Sequence, residues 1–278
     1  MLGLKFQAVD AGASVTQETS AMNSIIALKP AVVVLPGVNA SPLCSQIKQL
    51  VASGAAVGTF GMVGVSQCGV KAAINGEYSA ELAGRLMADW VVATKGVKTN
   101  AAFYYTPELS FSPYVQRAFK TQLTKLCASC AVRDVDLPVA TLGSTAPSMV
   151  VADLQRNPNT NVALFASDEA AIGLPAALRT ANLTGVSTIG WGPTPVNLQD
   201  IKSGGETAAI GVDIPTMIWT TVDAAARIAT KKPLTAGEQL GVPPSEILER
   251  QNITFNPAGG FLAYPDFAQR FMKLWTGR

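Results

Sequence analysis

Four cysteines and no histidine bound the chemistry open to this chain of 278 residues. Without imidazole, most metal sites and the usual Ser-His and Cys-His nucleophile systems are excluded. Cys127 and Cys130 form the run C-A-S-C, the C-x-x-C spacing of a thiol–disulfide redox pair. A redox pair of that kind opens a helix after a strand. This one closes the helical stretch YVQRAFKTQLTKLCASC, a place that fits a local structural disulfide or buried thiols better. Cys44 and Cys68 stand apart as further candidates for bridging, and two bridges would place the protein in an oxidising compartment. Ser45-Gln-Ile-Lys48 matches the S-x-x-K of penicillin-interacting enzymes, but its S-D-N and K-T-G companions are absent. Neither a P-loop nor G-x-G-x-x-G is present. Asp134 and Asp136 share one face of a strand, with nothing nearby for acid–base work. No catalytic residue, metal or cofactor is therefore expected.

What remains is recognition chemistry, carried by aromatic and short polar side chains that follow apolar runs. In the stretch VALFASDEAAIGLPAALRTANLTGVSTIGW, residues 162–191, two strand-like runs flank a helix and each ends at a polar stop. In a parallel sheet those stops are the carboxyl ends of strands, where open α/β folds place ligands. The same alternation fills the chain. Strands are expected at 4–9, 31–35, 55–60, 100–105, 131–137, 162–166, 187–191, 208–212 and 247–255. Helices are expected at 16–28, 41–54, 79–96, 112–126, 146–158, 170–181, 194–204, 215–232 and 265–275. In the helix over 79–96, Leu82, Leu86 and Trp90 recur every four residues and mark its buried face. Regular alternation predicts parallel sheets with helices on both faces. The strands are too many for one compact sheet, so two domains are expected, with a seam near Val97–Asn100.

Hydrophobic residues make up 48% of the chain and charged residues 14%, which excludes disorder. A net charge of +2 without a basic stripe argues against nucleic acid. The apolar runs are strand-length, far below the ~20 residues that span a bilayer. The opening MLGLKFQAVDAG lacks the apolar core of a signal peptide, which fits either a cytoplasmic protein or a chain whose leader has been removed.

Three stretches carry a resemblance. AELAGRLMADWV (80–91), ASDEAAIGLPAALRTA (166–181) and IGWGPTPVNLQDIKSGGETAAIGVD (189–213) resemble segments of the type I periplasmic solute-binding proteins of the ribose-binding kind. The likeness extends over essentially the whole chain. It implies two Rossmann-like lobes joined by a three-crossing hinge, near 98–101, 211–214 and 249–253, that closes on a small solute. The lobes would comprise residues 1–98 plus 214–250 and residues 99–213 plus 251–278. It also implies that the first lobe lacks the family's first strand and helix, so that the functional protein is longer by one strand–helix unit.

Carried over position by position, the resemblance places Phe60, Met62, Ser79, Tyr105, Phe111, Ser112, Ser167, Asp168, Trp191 and Asp213 at the solute. The Asp-Arg clamp of sugar binders is replaced by Gly61 and Met62, and the Asp after the strand at 187–191 by Gly192. Aromatic planes persist while bidentate partners for vicinal hydroxyls are few. Tyr104 and Tyr105 alternate, so only one faces the solute. Ser79, Asp168 and Asp213 each precede a helix and read equally as caps, and Phe60 reads equally as core. The implied function is capture of a small neutral solute — a sugar derivative, polyol or aromatic compound — for the membrane permease of an ABC importer. The protein would act as a monomer in the periplasm or at the outer face of the cytoplasmic membrane. The competing readings are the effector domain of a LacI-type regulator or ligand sensor, and an enzyme on a doubly wound fold.

Overall fold

The computed structural model describes residues 5–12 and 14–276. The chain runs through α1 (Val15–Leu28), β1 (Val32–Pro36), α2 (Ala40–Ala52), β2 (Ala56–Phe60), β3 (Ala72–Ile74) and α3 (Glu77–Lys95). It continues through β4 (Asn100–Tyr105), α4 (Ser112–Leu126), β5 (Ala131–Asp136), α5 (Ala146–Arg156), β6 (Val162–Phe165), α6 (Leu174–Thr180), β7 (Ser187–Trp191) and α7 (Pro195–Ser203). Then follow β8 (Ala208–Val212), α8 (Ile214–Ala229), α9 (Ala236–Leu240), β9 (Ser245–Glu249) and α10 (Phe267–Thr276). This is the expected mixed α/β architecture, arranged as two compact units.

The first unit holds the chain up to Ser79, residues 214–243 and the chain from Tyr264 on. Its sheet has the order β1-β2-β3, all parallel, with Pro36, Phe60 and Ile74 in register at the carboxyl ends. Adjacent residues on a strand point to opposite faces, and β2 uses both. Val57 joins Val33, Leu35, Leu43, Ile47 and Leu50 in a core covered by α1 and α2. Gly58 lies against α8, where a Cβ would come within 3.1 Å of Thr221 Cγ2. A disulfide between Cys44 and Cys68 ties α2 to the turn that follows β2. Trp219 of α8 stacks on Trp275 of α10, with ring centroids 5.1 Å apart. The indole N–H of Trp275 donates to Asp223 Oδ1 at 2.8 Å.

The second unit comprises residues 80–213 and 244–263. Its six-stranded sheet has the order β5-β4-β6-β7-β8-β9. Every pair is parallel except β8–β9, where β9 runs antiparallel along the edge. β6 and β8 are buried throughout, as apolar strands covered on both faces must be. One face packs Tyr104, Val150, Leu154, Phe165 and Leu174; the other packs Leu198, Ile201, Leu248 and Phe261. Cys127 and Cys130 are joined in a local disulfide at the end of α4.

Several expectations need correction. Residues 5–9 form no strand and Phe6 is exposed; Leu4 lies outside the described residues. β3 and α9 are too short to show a periodicity and were not anticipated. The helix expected over 170–181 is broken at Gly173, whose φ of +83° follows a 3-10 turn at Asp168–Ala171 and starts α6 afresh. The strand expected over 247–255 ends at Glu249, where Asn252 Oδ1 accepts from its N–H at 2.7 Å.

The unit boundaries also differ from those read in the sequence. Residues 80–98 fall in the second unit, because α3 packs on α4 so closely that a Cβ on Gly84 would lie 2.2 Å from the Val115 carbonyl oxygen. Trp90 of α3 also donates its indole N–H to Glu249 Oε1 at 2.9 Å. Residues 244–250 join that unit because β9 pairs with β8. Residues 264–278 fall in the first unit, where α10 stacks on α8. Among the described residues no helix is long and apolar enough to cross a membrane.

Candidate ligand-binding site

A doubly wound sheet binds ligands where its winding reverses. In the second unit the chain leaves β4 for β5 on one side and returns to β6 on the other. The reversal therefore lies at the carboxyl ends of β4 and β6, where Tyr104 and Phe165 are in register. β7 is the next strand over and ends at Trp191. Tyr105, Ser167 and Trp191 thus belong to one edge of one sheet.

The loop from β4 to α4 is closed by the N–H of Thr106, which donates to Ser112 Oγ at 2.9 Å. Ser112 is fully buried, so its hydroxyl serves the loop rather than a solute. That closure leaves Phe111 just ahead of α4, with its ring edge-on to Trp191 at 5.2 Å and 89°. T-shaped packing is the favoured contact between aromatic quadrupoles. Beside Phe111, the hydroxyl of Ser110 is buried with no hydrogen-bond partner. Ser167 is half-buried between β6 and the 3-10 turn, and its side chain caps nothing.

The two tyrosines divide as alternation requires. Tyr104 points into the core, stacks on Phe165 at 5.2 Å and donates to Asp153 Oδ2 at 2.7 Å. Burial, and then that carboxylate, push its pKa up. Tyr105 is half-buried on the opposite face, where a hydrogen bond to Asp136 raises its pKa first of all.

Trp191 is itself only 7% exposed, and other residues expected at the solute lie in the interior. Asp168 is fully buried and faces Glu206. Asp213 is fully buried, and its backbone N–H donates to the Pro244 carbonyl at 3.0 Å. In the first unit, Met62 is fully buried in the core beside Val57 and Cys68. Ser79 is 6% exposed, and its hydroxyl donates to the Gly241 carbonyl at 3.4 Å. Phe60 alone of that unit's candidates is half-buried at a strand's carboxyl end.

Two residues at these edges were not singled out in the sequence. Ser110 follows the acidic turn Pro-Glu-Leu and looks like ordinary loop. Asn75 follows β3 with φ +54°, and its side-chain oxygen is buried with no partner. The Asn-Gly pair at 75–76 was the available signal, since Asn tolerates that conformation. The second unit's edge carries flat rings and hydroxyls, and the first unit's carries a ring and an amide oxygen. Among the described residues no group of three or more His, Cys, Asp or Glu side chains is placed to hold a metal.

Comparison with solved structures gives the same architecture at low identity. A glucose-galactose binding protein from Geobacillus stearothermophilus is 16% identical, with 87% of this chain and 85% of that one covered and a TM-score of 0.74. The 5-methylthioribose transporter solute-binding protein of Thermotoga lettingae, solved with 5-methylthioribose, is 17% identical, with 94% and 84% covered and a TM-score of 0.75. An ABC transporter solute-binding protein from Agrobacterium vitis with bound D-fucose is 16% identical, with 93% and 88% covered and a TM-score of 0.75. No curated protein gives a match. The periplasmic binding protein domain matches residues 1–233, most of the chain, and the protein belongs to that family.

Proposed function

We propose that the protein captures a small neutral sugar-class solute carrying an apolar part and hands it, chemically unchanged, to the permease of an ABC importer. The observation that carries this reading is the Phe111–Trp191 wall at the carboxyl edge of the second sheet, with unpaired hydroxyl capacity beside it at Ser110. A sugar presents a polar rim and an apolar face, and flat rings match the face. The residues named at the two carboxyl edges, Phe60, Asn75, Tyr105, Ser110, Phe111, Ser167 and Trp191, include no Lys or Arg. An anionic solute would be left without its partner there. Two of the structural neighbours hold 5-methylthioribose and D-fucose. The first of these carries a methylthio group where ribose has a hydroxyl, which is the kind of solute this wall suits. Hinge closure on the solute, a periplasmic location and action as a monomer complete the proposal. The two disulfides favour an oxidising compartment over the cytoplasm of a LacI-type regulator.

The test is a thermal-shift and calorimetric panel of ribose, glucose, galactose, D-fucose and 5-methylthioribose, with mass spectrometry of any small molecule that co-purifies. Saturable binding of the sugars with an apolar arm, tighter than of ribose or glucose, is expected. Tight binding of ribose or glucose in preference to them would remove the apolar part of the proposal. Binding of none, with a charged molecule co-purifying, would remove the whole.

A further inference from the structure

Asp168 and Glu206 face one another inside the second unit, 0% and 3% exposed. Asp168 opens the 3-10 turn after β6, and Glu206 lies in the loop between α7 and β8. The two carboxyl groups are within hydrogen-bonding reach of each other. As two carboxylates they would have nothing to share, for both oxygens of Asp168 and Oε1 of Glu206 face no donor. The side-chain donor that does reach the pair is Asn197 Nδ2, 3.3 Å from Glu206 Oε2 and 2.9 Å from the Asp168 carbonyl oxygen. β7 yields space for the pair at Gly190, where a Cβ would sit 1.8 Å from Asp168 Oδ1.

The surroundings bring no cation to the pair. The elements packed around it carry Asp153 and Arg156 on α5, Arg179 on α6, Asp200 and Lys202 on α7, Glu246 and Glu249 on β9, with Glu169 and Arg250 in adjoining turns. Asp153 is committed to Arg133 and Tyr104. Lys202 Nζ donates to the Phe255 carbonyl at 3.0 Å. The charge of Arg179 acts on Asp200, and Asp200 adds its own negative field at Glu206.

We propose that Asp168 and Glu206 share one proton in the folded protein, and that this proton pins the α7–β8 loop to the turn after β6. Converting two buried, repelling carboxylates into an O–H···O⁻ pair relieves the repulsion and gives the unpartnered oxygens a donor. Asn197, which caps α7 together with Thr194, then completes a link from the exit of β6 to the start of β8. Burial raises Asp168 to about 7. Burial, and next the charge of Asp168, raise Glu206 well above the ordinary carboxylate range. The folded state then holds a proton that the unfolded chain releases above its ordinary carboxylate pKa of about 4. The pair's contribution to stability is therefore fully present at low pH and falls as pH rises from about 4 through the folded-state values, by up to tenfold in the folding constant per pH unit for one proton. The proposal concerns the fold of the second unit and holds whatever the solute.

The experiment is equilibrium unfolding of the full chain between pH 5 and pH 8.5, for the wild type, Glu206→Gln and Asp168→Asn. Either amide supplies an N–H where the shared proton stood. The wild type should lose stability with rising pH more steeply than both variants, and each variant should hold its pH 5 value better at pH 8.5. Equal slopes in all three would overturn the proposal. Should the variants fail to fold, a carbon-13 carboxyl NMR titration of the wild type reads the pair directly, and two ordinary carboxylate titrations below pH 5 would overturn it. Stabilisation of the wild type by calcium or sodium ions at pH 8.5 would overturn it too, since a cation would then hold the pair.

Discussion

The two units share the strand-then-helix alternation and differ in what holds their sheets together. The second unit builds six strands, five of them from one continuous run of chain, and contains the reversal of winding between β4 and β6. The first has three strands that step in one direction. One face of its sheet is covered by α8, which enters only after the second unit's five parallel strands are complete. Distant contacts have to repay loop-closure entropy before they stabilise anything. The first unit accordingly leans on a crosslink, on a small dense core and on the late-arriving rings of α8 and α10. The second keeps its aromatic wall near the reversal, where its own sheet supports it.

The largest expected effect comes from that small core. Ile47 is fully buried among Val33, Leu35, Leu43, Leu50 and Val57. Truncation to alanine should cost about 4 kcal/mol, transfer and cavity terms together, read by urea unfolding. A cost near 1 kcal/mol would mean that the core collapses onto the gap, and the first unit would not be the more tightly dependent one.

The crosslinks sharpen the contrast next. Cys44 and Cys68 are separated by 24 positions and Cys127 and Cys130 by 3. On loop-closure entropy the first bridge contributes about 3 kcal/mol and the second about 2 kcal/mol. Calorimetry of the two paired Cys→Ala variants should show the larger loss in the first unit. Equal losses would mean that the unfolded chain already holds α2 near the following turn.

The sequence showed the alternation because period-2 and period-3.6 patterns survive in long elements such as α3, α4 and β4. It did not show β3, where three residues carry no period, nor the break at Gly173, which depends on a backbone angle rather than on composition. Phe60, Tyr105 and Trp191 were legible as strand-end rings because each closes an apolar run, whereas their place at a solute came from the resemblance alone. Asp168 misled because an acid ahead of a helix looks the same whether it caps, binds or, as here, meets a second buried acid 38 positions on. Glu206 could have been noticed as a carboxylate two residues ahead of the apolar strand β8. Its partner could not have been named without the fold.

The aromatic wall gives the third prediction, which rests on the proposed function. Loss of the Trp191 plane should cost about 2 kcal/mol of binding, or about 30-fold in Kd. Trp191→Phe should keep most of the affinity, and Phe60→Ala should cost about threefold, since Phe60 has no ring partner among the aromatic contacts described. Titration of the best-binding sugar from the panel reads all three. A larger loss at Phe60 than at Trp191 would move the principal contact to the first unit and reverse the comparison.

The smallest effect sets one helix start in each unit against the other. Thr235 and Glu238 form a capping box at α9 in the first unit, and Thr194 and Asn197 form one at α7 in the second. In both, the threonine hydroxyl accepts from the backbone N–H three residues on, at 3.3 Å and 3.4 Å. Thr→Ala at either site removes that acceptor and should cost about 1 kcal/mol, with Thr→Ser restoring it. The two sites differ in what the third residue does next. Glu238 continues to Arg227, at 3.4 Å, a charged contact that survives loss of the threonine. Asn197 also receives the Thr194 hydroxyl at 2.6 Å on its side-chain oxygen, while its amide holds Asp168 and Glu206. Thr194→Ala therefore loosens the residue that bridges the acid pair, and its cost should exceed that of Thr235→Ala by a few tenths of a kcal/mol, the scale of coupling between neighbours in one network. Paired unfolding curves at pH 6 resolve a difference of that size. If Thr235→Ala proves the costlier, the first unit's cap is coupled to its ion pair and the second unit's cap acts alone.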